Sequence, residues 1–330
     1  MADQVVVIEF NRTPIVQIVT WICLVISILA FFSHASMKFY LTRSFTVETG
    51  LLFMGLLFGS AQSIVVSLQA SYGFGKPSNT LDNNQLQTVL KCEYADTLLF
   101  LCSIAFSKLA VVAFVNGITP GHLHQRSNYA AGAFSVVWLV VSVLIVSFQC
   151  QVPHTWDKTS GICINTLNWW LTITILNILS EVALVALEIA LVAPVQMMRK
   201  RKVFVIGLFT CRLLVSIAAA FQLYLFWQDA TGPLKDDYAL GYWRSTTGNQ
   251  VVLCLAIITT SLPYAKIFME SFESGLIRIE KPRGLIEQSL DGEGTYGSGR
   301  TYELLEVSRK SGTKPPCRNC QAGSRYGDPC

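Results

Sequence analysis

Charged residues are scarce in this chain. They occupy 14% of its 330 positions, whereas hydrophobic residues occupy 52%, and an ordinary soluble domain carries roughly a quarter charged residues. The few charges cluster, so long apolar stretches run between them. The net charge of +4 is spread over loops and provides no basic face for nucleic acid. The composition therefore predicts an integral membrane protein without a nucleic-acid partner.

Signatures of metal and cofactor chemistry are also missing. Cys317 and Cys320 form a Cys-x-x-Cys pair, but no second pair lies at zinc-ligand spacing, so we predict no metal site. A retinal Schiff base needs a lysine near the middle of the last membrane span. The only lysine of that span, Lys266, lies at its far end beyond Pro263. Retinal is therefore not expected, and we predict no cofactor.

Seven apolar stretches are long enough to cross a bilayer, which takes about 20 helical residues. They lie at 15–37, 48–70, 94–116, 129–151, 168–193, 203–227 and 249–269. The first is not a cleavable signal peptide, because it lacks a basic start and is too long for one. The predicted fold class is an all-α membrane protein, a bundle of seven transmembrane helices.

Basic residues predict the orientation of the bundle. The run Arg-Lys-Arg-Lys at 199–202, between spans five and six, favours the cytosolic side. Residues 1–14 are then a short outer or lumenal segment, 15–270 the membrane domain, and 271–330 a polar, disordered cytosolic tail. Asn11 begins an Asn-Arg-Thr glycosylation sequon on the outer side. The plasma membrane or an endomembrane is the expected location.

Ionisable residues inside the apolar stretches mark candidate sites, because charge is costly in hydrocarbon. Lys108 lies in span three, Glu188 in span five and Arg212 in span six. A rise of 1.5 Å per residue places all three at similar depths in the cytosolic half. We predict a structural ion-pair network that joins these three helices. The open alternative is a two-state lock that breaks on activation or proton transfer.

Other polar residues are candidates for a pocket that opens outward. Asp96 and Glu181 lie nearer the outer face, without partners at their own depth. Asn177 precedes Glu181 by one helical turn and shares its face. Trp243 belongs to a group of aromatic residues at the outer boundary, most of which an interfacial belt explains. These residues are the predicted pocket candidates.

Three cysteines fall at or near the outer loops, where an oxidising compartment favours a disulfide. Cys163 pairs either with Cys92 at the outer end of span three or with Cys150 across its own loop. The residues themselves leave both pairings open.

One loop carries a specific pattern, Cys-x-x-Pro-x-x-Trp-Asp followed by Gly-x-Cys, from 150 to 163. Further motifs accompany it: Gly73-Phe74-Gly75, Tyr94-Ala95, Ser107-Lys108, Asn177, an acid at Glu181, the basic turn at 199–202, Arg212, Trp243 and Leu262-Pro263. In these features the chain resembles the fungal rhodopsin-like integral membrane family of the satratoxin-cluster type, over about residues 15–270.

The resemblance implies a Cys150–Cys163 disulfide and a setting in secondary metabolism or host interaction. The chain departs from the family pattern at Lys76, where histidine is usual, and at Glu181, where aspartate is usual. It also lacks an Asp-Asp pair in the first cytosolic loop and an acid early in span seven. Mechanisms that need those groups are not expected here.

The predicted function is that of a non-catalytic, receptor-like membrane protein in contact with the bilayer and a lipophilic small molecule. Span three ends in Asn116-Gly117 without the acid–Arg pair of common G-protein receptors. The sequence does not indicate which cytosolic partner the protein binds. The alternative is a membrane-embedded cyclase or isomerase for a lipophilic intermediate. Its buried acid would be Glu181 or Asp96.

Overall fold

The computed structural model describes most of the membrane domain. The described residues are 11–43, 46–118, 122–150, 155–156, 163–192, 206–207, 210–234 and 237–280. They contain seven long α-helices and no β-strand, apart from an isolated antiparallel bridge between Cys150 and Cys163. The helices are α1 (Thr13–Thr42), α2 (Val47–Ser71), α3 (Asn83–Ile118), α4 (His122–Ser147), α5 (Thr166–Val192), α6 (Leu213–Thr231) and α7 (Trp243–Glu280).

Six of these helices, α1 to α6, are long and apolar enough to cross a membrane. The chain is therefore an all-helical, multi-pass membrane protein. Helix α7 is less apolar, because its first turns carry Asn249, Gln250 and several hydroxyl side chains. The seventh membrane span accordingly stays a prediction.

Several predicted boundaries differ from the observed helices. Helix α3 begins at Asn83 and α4 at His122, before the predicted starts at 94 and 129. The predicted start of the sixth span, 203, lies outside the described residues; 206–207 and Thr210 are helical, and α6 begins at Leu213. Helix α7 continues to Glu280, past the predicted domain boundary at 270, because Pro263 is accommodated inside it. The predicted tail beyond 280, and residues 1–10, also lie outside the described part.

The first three helices alternate in direction. The Thr13 hydroxyl donates to the carbonyl of Phe74, 2.7 Å away, so the start of α1 lies beside the end of α2. Farther along, the rings of Phe31 and Phe53 lie 5.7 Å apart. The Ser103 hydroxyl of α3 donates to the Gly55 carbonyl of α2 at 2.6 Å. Close contact with bare backbone at Gly55 lets these two helices pack tightly.

Helices α3 and α5 run parallel. The rings of Phe100 and Trp170 lie 6.4 Å apart, and two turns farther along Lys108 Nζ donates to the Asn177 carbonyl at 3.1 Å. Helix α3 is the centre of the bundle, since 67% of its apolar stretch is buried against 17% for α1. Polar groups on α3 therefore face other helices, whereas α1 presents much of its apolar surface to lipid.

Helices α6 and α7 run antiparallel. Gln222 Nε2 donates to the Ser245 hydroxyl at 3.1 Å, and Arg212 reaches Thr260 near the other ends of the two helices. The beginnings of α1, α3, α5 and α7 therefore share one end of the bundle. We call it the disulfide end, because the Cys150–Cys163 bond between α4 and α5 lies there.

Candidate functional site

The centre of the bundle holds an ion cluster built on Arg212 and Glu181. Arg212 Nε donates to Glu181 Oε2 at 2.9 Å, and Nη2 donates to Oε1 at 3.4 Å. This is a bidentate pair, the arrangement in which a guanidinium matches a carboxylate. Arg212 lies just before the first residue of α6 and Glu181 lies in the middle of α5, so the pair fastens these two helices.

Lys108 adds a second cation to the same carboxylate. Its Nζ lies 3.8 Å from Glu181 Oε1 and donates to the Asn177 carbonyl at 3.1 Å and to the Ser180 hydroxyl. The ammonium also lies 5.1 Å from the ring centroid of Trp138, on α4. A cation over an indole face is stabilised by the ring quadrupole. Lys108 thus joins α3 to both α4 and α5.

A hydroxyl pair extends the cluster to α7. Arg212 Nη1 donates to Thr260 Oγ1 at 3.0 Å, and the Ser107 hydroxyl lies 3.1 Å from the same oxygen. Ser107 precedes Lys108 on α3, so adjacent residues of α3 contact opposite sides of the cluster. Four helices besides α4 therefore meet through hydrogen bonds around one guanidinium and one ammonium.

Glu188 occupies a different position from the predicted one. Within the described residues its Oε2 has no hydrogen-bond partner, and Glu181 is the acid that pairs with Lys108 and Arg212. Glu188 instead lines a cavity of about 10 Å³ that Arg212 also borders, which is room for about one water molecule.

The register of the parallel helices explains this difference. Phe100 on α3 lies beside Trp170 on α5, so Lys108, about two turns farther along α3, is level with the part of α5 just before Ser180 and Glu181. Glu188 lies two turns beyond Glu181 on α5, and the depths estimated from the sequence had placed it too close to Lys108.

Burial makes this cluster sensitive to any change of charge. The exposed fractions are 1% for Lys108, 1% for Glu181, 3% for Arg212 and 2% for Glu188. Buried ion pairs offset a large desolvation cost only while each charge keeps its partner. Two cations share one carboxylate beside a second acid, Glu188, whose Oε2 has no hydrogen-bond partner among the described residues, so the pairing can change.

The other predicted pocket residues are all buried. Asp96 lies on α3, and its Oδ1 lacks a partner among the described residues. Asn177 lines a cavity of about 10 Å³ with Trp138, Trp170 and Gln222. Neither Asp96 nor Glu181 lines this cavity, and a pocket that the three residues share stays a prediction.

Trp243 lies at the disulfide end, away from the ion cluster. The Cζ atoms of Arg12 and Arg244 lie 5.7 and 5.9 Å from its ring centroid. At the same end Cys150 is bonded to Cys163, and Cys92 is a free thiol. The pairing that the resemblance implied is the one that the structure contains.

The N-terminal sequon is part of a backbone closure at this end. Asn11 Oδ1 accepts the Thr13 amide at 3.3 Å, the Arg12 amide donates to the Gly75 carbonyl at 2.9 Å, and the Thr13 hydroxyl is bonded to Phe74. Gly75 has a φ of +90°, and a Cβ there would lie 2.7 Å from the Thr13 amide nitrogen. The Gly-Phe-Gly motif therefore serves this closure; glycosylation of Asn11 stays a prediction.

Sequence reasoning missed several partners of the cluster. They are Trp138, Ser180 and Thr260, which are uncharged and lie in apolar helices. Only the position of Ser180, next to Glu181, offered a signal. Among the described residues, no group of three His, Cys, Asp or Glu side chains is placed to hold a metal ion.

Comparison with known proteins identifies the architecture around the cluster. The fungal rhodopsin domain matches residues 34–271, which is most of the chain. The protein belongs to the fungal rhodopsin domain family. Within this fungal rhodopsin domain lie Lys108, Glu181, Glu188 and Arg212, whereas Asn11 precedes it. No curated protein and no solved structure matches the chain.

Proposed function

We propose that this fungal rhodopsin domain is a non-catalytic, receptor-like membrane protein whose ion cluster locks α3, α5 and α6 together. The observation that carries the proposal is the position of Glu181 between Arg212 and Lys108. Charge-assisted contacts of this kind are strong and geometrically specific. A carboxylate held by two cations fastens three helices and is released when either contact moves.

The same geometry disfavours Glu181 as the acid of an enzyme. Both of its oxygens contact cations, so neither is free to approach a substrate. The cavities that border Arg212 and Asn177 measure about 10 Å³ each. A lipophilic substrate needs a pocket of roughly several hundred Å³, the size usual for small-molecule sites.

The proposed placement in the membrane follows from charge and redox chemistry. We place the disulfide end outside or in a lumen, because disulfides persist in oxidising compartments. The basic run at 199–202 is then cytosolic, in the plasma membrane or an endomembrane. The bilayer and a lipophilic small molecule are the proposed partners, in secondary metabolism or host interaction.

Retinal is not part of the proposal. Lys266 lies past Pro263 in the sequence, and its side chain is outside the described part of the structure. The buried Lys108 ammonium is occupied by Glu181, Ser180 and the Asn177 carbonyl. A Schiff base at Lys108 would have to replace these contacts.

A gene-deletion strain tests the proposal. The strain is complemented with the wild type, with Glu181→Gln, or with Arg126→Gln, a control on an exposed residue of α4. Transcripts and metabolites are measured together. We expect deletion to change gene expression without accumulation of an unprocessed precursor. We expect the wild type and Arg126→Gln to restore expression, and Glu181→Gln to fail although the protein reaches the membrane.

A membrane-embedded enzyme is the second candidate, and Asp96 is the observation that favours it. Asp96 is 3% exposed, and its Oδ1 has no hydrogen-bond partner within the described residues, so this oxygen is available to a substrate. An Asp96→Asn strain separates the two functions. A precursor that accumulates in the deletion strain, and disappears with the wild type but not with Asp96→Asn, would replace the receptor proposal by the enzyme.

A further inference from the structure

The disulfide end contains a cleft of about 620 Å³. This size falls in the range of small-molecule sites, roughly 300 to 1,000 Å³. One wall is formed by residues of the loop between α2 and α3, the other by Leu234, Asp237 and Leu240 after α6, and Asn11 borders it. The cavities near Arg212 and Asn177 are far smaller, so of these three spaces the cleft is the one with room for a ligand.

The walls are fastened to each other by hydrogen bonds between distant segments. The Gly75 amide donates to the Ala239 carbonyl at 2.8 Å, and the Ser78 amide donates to both oxygens of Asp237 at 3.2 and 3.1 Å. The Arg12 amide is bonded to Gly75 in turn. A site whose walls are already held in place pays less conformational entropy on binding.

The polar groups of the cleft differ in how many hydrogen bonds and ion pairs they already form. Asp237 Oδ1 also accepts the amides of Ala239 and Leu240, at 3.2 and 3.0 Å, so this carboxylate serves the loop itself. Lys76 is exposed and, in the part of the chain that the structure describes, forms no ion pair. Lys76 is therefore the charged group whose donors are available to a ligand.

The rest of the lining is mixed. Leu234 and Leu240 provide apolar surface on one wall and Pro77 on the other, and the side chains of Asn79 and Thr80 lie beside Lys76 in sequence. Leu234 is 48% exposed without a ligand, so a bound molecule would cover it. An ammonium next to apolar surface fits a molecule with an acidic group at one end and an apolar body.

We propose that this cleft binds a small amphipathic carboxylic acid, with the carboxylate on Lys76 and the apolar body on Leu234 and Leu240. The role of the cleft as the ligand site of a receptor rests on the proposed function. Its occupancy is a separate property, because the walls are held by Gly75, Asp237 and their backbone partners and not by the ion cluster.

Photo-crosslinking of the full-length protein in lipid nanodiscs tests the cleft. The probe is 4-benzoylbenzoate, a water-soluble carboxylate whose excited ketone inserts into nearby C–H bonds, and 4-benzoylbenzyl alcohol is its uncharged counterpart. Peptide mass spectrometry locates the label. We expect saturable labelling by the carboxylate on peptides that contain Leu234, Leu240 and Pro77, and at least about tenfold less by the alcohol, because the charged contact is lost.

Substitutions of two lysines provide matched controls. Lys76→Gln should lower the labelling about tenfold or more, because it removes a charge-assisted contact, whereas Lys76→Arg should keep it within about threefold. Lys91→Gln is the control, since Lys91 is at the same end but lies over the Trp156 ring, 5.1 Å from its centroid, outside the cleft. It should label like the wild type.

The outcomes distinguish a failure of the proposed binding site from a failure of the proposed function. Equal labelling by acid and alcohol, or undiminished labelling of Lys76→Gln, would overturn the proposed site and leave the ion cluster untouched. Labelling as expected, together with full complementation of the deletion strain by Lys76→Gln, would establish the binding site and contradict its receptor role.

Discussion

The disulfide end and the ion cluster hold the same helices together by opposite means. At the disulfide end, a covalent bond and neutral backbone hydrogen bonds join loops that are far apart in sequence, such as Gly75 with Ala239. In the cluster, buried charges on Lys108, Glu181 and Arg212 do so. Backbone bonds contribute modestly and steadily, about 1 kcal/mol each. Buried charges stabilise only while all of them are paired.

This contrast assigns different roles to the two regions. A closure made of backbone bonds has one arrangement, because its donors and acceptors are fixed to the chain. The cluster has more acids than are paired, since Glu188 lies beside Arg212 without a partner in the described residues. The disulfide end is therefore the rigid frame. The cluster is the region in which the pairing can change with the smallest movement of the backbone.

The largest effect is expected from Arg212→Met. Removal of the guanidinium leaves Glu181 with Lys108 at 3.8 Å, and breaking one partner of a buried pair costs about 3–5 kcal/mol. We expect a corresponding fall in the free energy of unfolding in detergent. Arg126→Met, on an exposed residue, is the control.

A triple variant sharpens this first prediction. Lys108→Met, Glu181→Leu and Arg212→Met together leave no charge of the central trio buried. Most of the lost stability should return, because well-packed apolar groups often replace buried ions without loss. A triple variant as unstable as Arg212→Met would mean that the cluster stabilises the bundle in its own right, and the contrast drawn above would be wrong.

A middle-sized effect is expected from Gly75→Ala at the disulfide end. Its φ of +90° and the 2.7 Å approach to the Thr13 nitrogen make any side chain strained, at about 1–3 kcal/mol. Gly50→Ala on α2 is the matched control, since a Cβ there meets nothing within 4 Å and a helical alanine stabilises by about 1 kcal/mol. Equal melting temperatures for the two variants would show that the frame is not rigid.

The smallest effect is expected from Glu188→Gln. A buried carboxylate without a partner is costly, so its neutralisation should change the free energy of unfolding by no more than about 1 kcal/mol, in the stabilising direction. Glu181→Gln, measured beside it, should destabilise strongly because it strips two cations of their anion. If Glu188→Gln proves the more damaging of the two, Glu188 has a partner that the cluster geometry lacks.

The sequence predicted helices better than it predicted contacts. Hydropathy sums over some twenty residues, so each of α1 to α5 overlaps its predicted span. Helices α3 and α4 begin earlier than predicted, at Asn83 and His122, because apolar character alone does not mark where a helix begins. The charged residues of the cluster were predicted from their cost in lipid. Their pairing was not, since it depends on the register of α3 against α5, which places Lys108 beside Asn177 and Glu181 and two turns from Glu188.

Closure at the disulfide end was beyond prediction for a different reason. The positive φ of Gly75 matters only because Arg12 and Ala239 lie beside it. The sequence around Gly75 does not predict these contacts. The uncharged Trp138 was likewise indistinguishable from other buried aromatic residues until Lys108 was placed over it.

The bonds around Gly75 also constrain how the protein is made. Arg12 emerges from the ribosome first, and its partner Gly75 is itself bonded to Ala239. Ala239 is synthesised more than two hundred residues after Arg12. Until then the amides of Gly75 and Ser78 lack these acceptors. A chain truncated before Asp237 leaves them open, and buried backbone donors without acceptors are costly. The complete set of bonds around Gly75 therefore forms only in a chain that extends past Ala239.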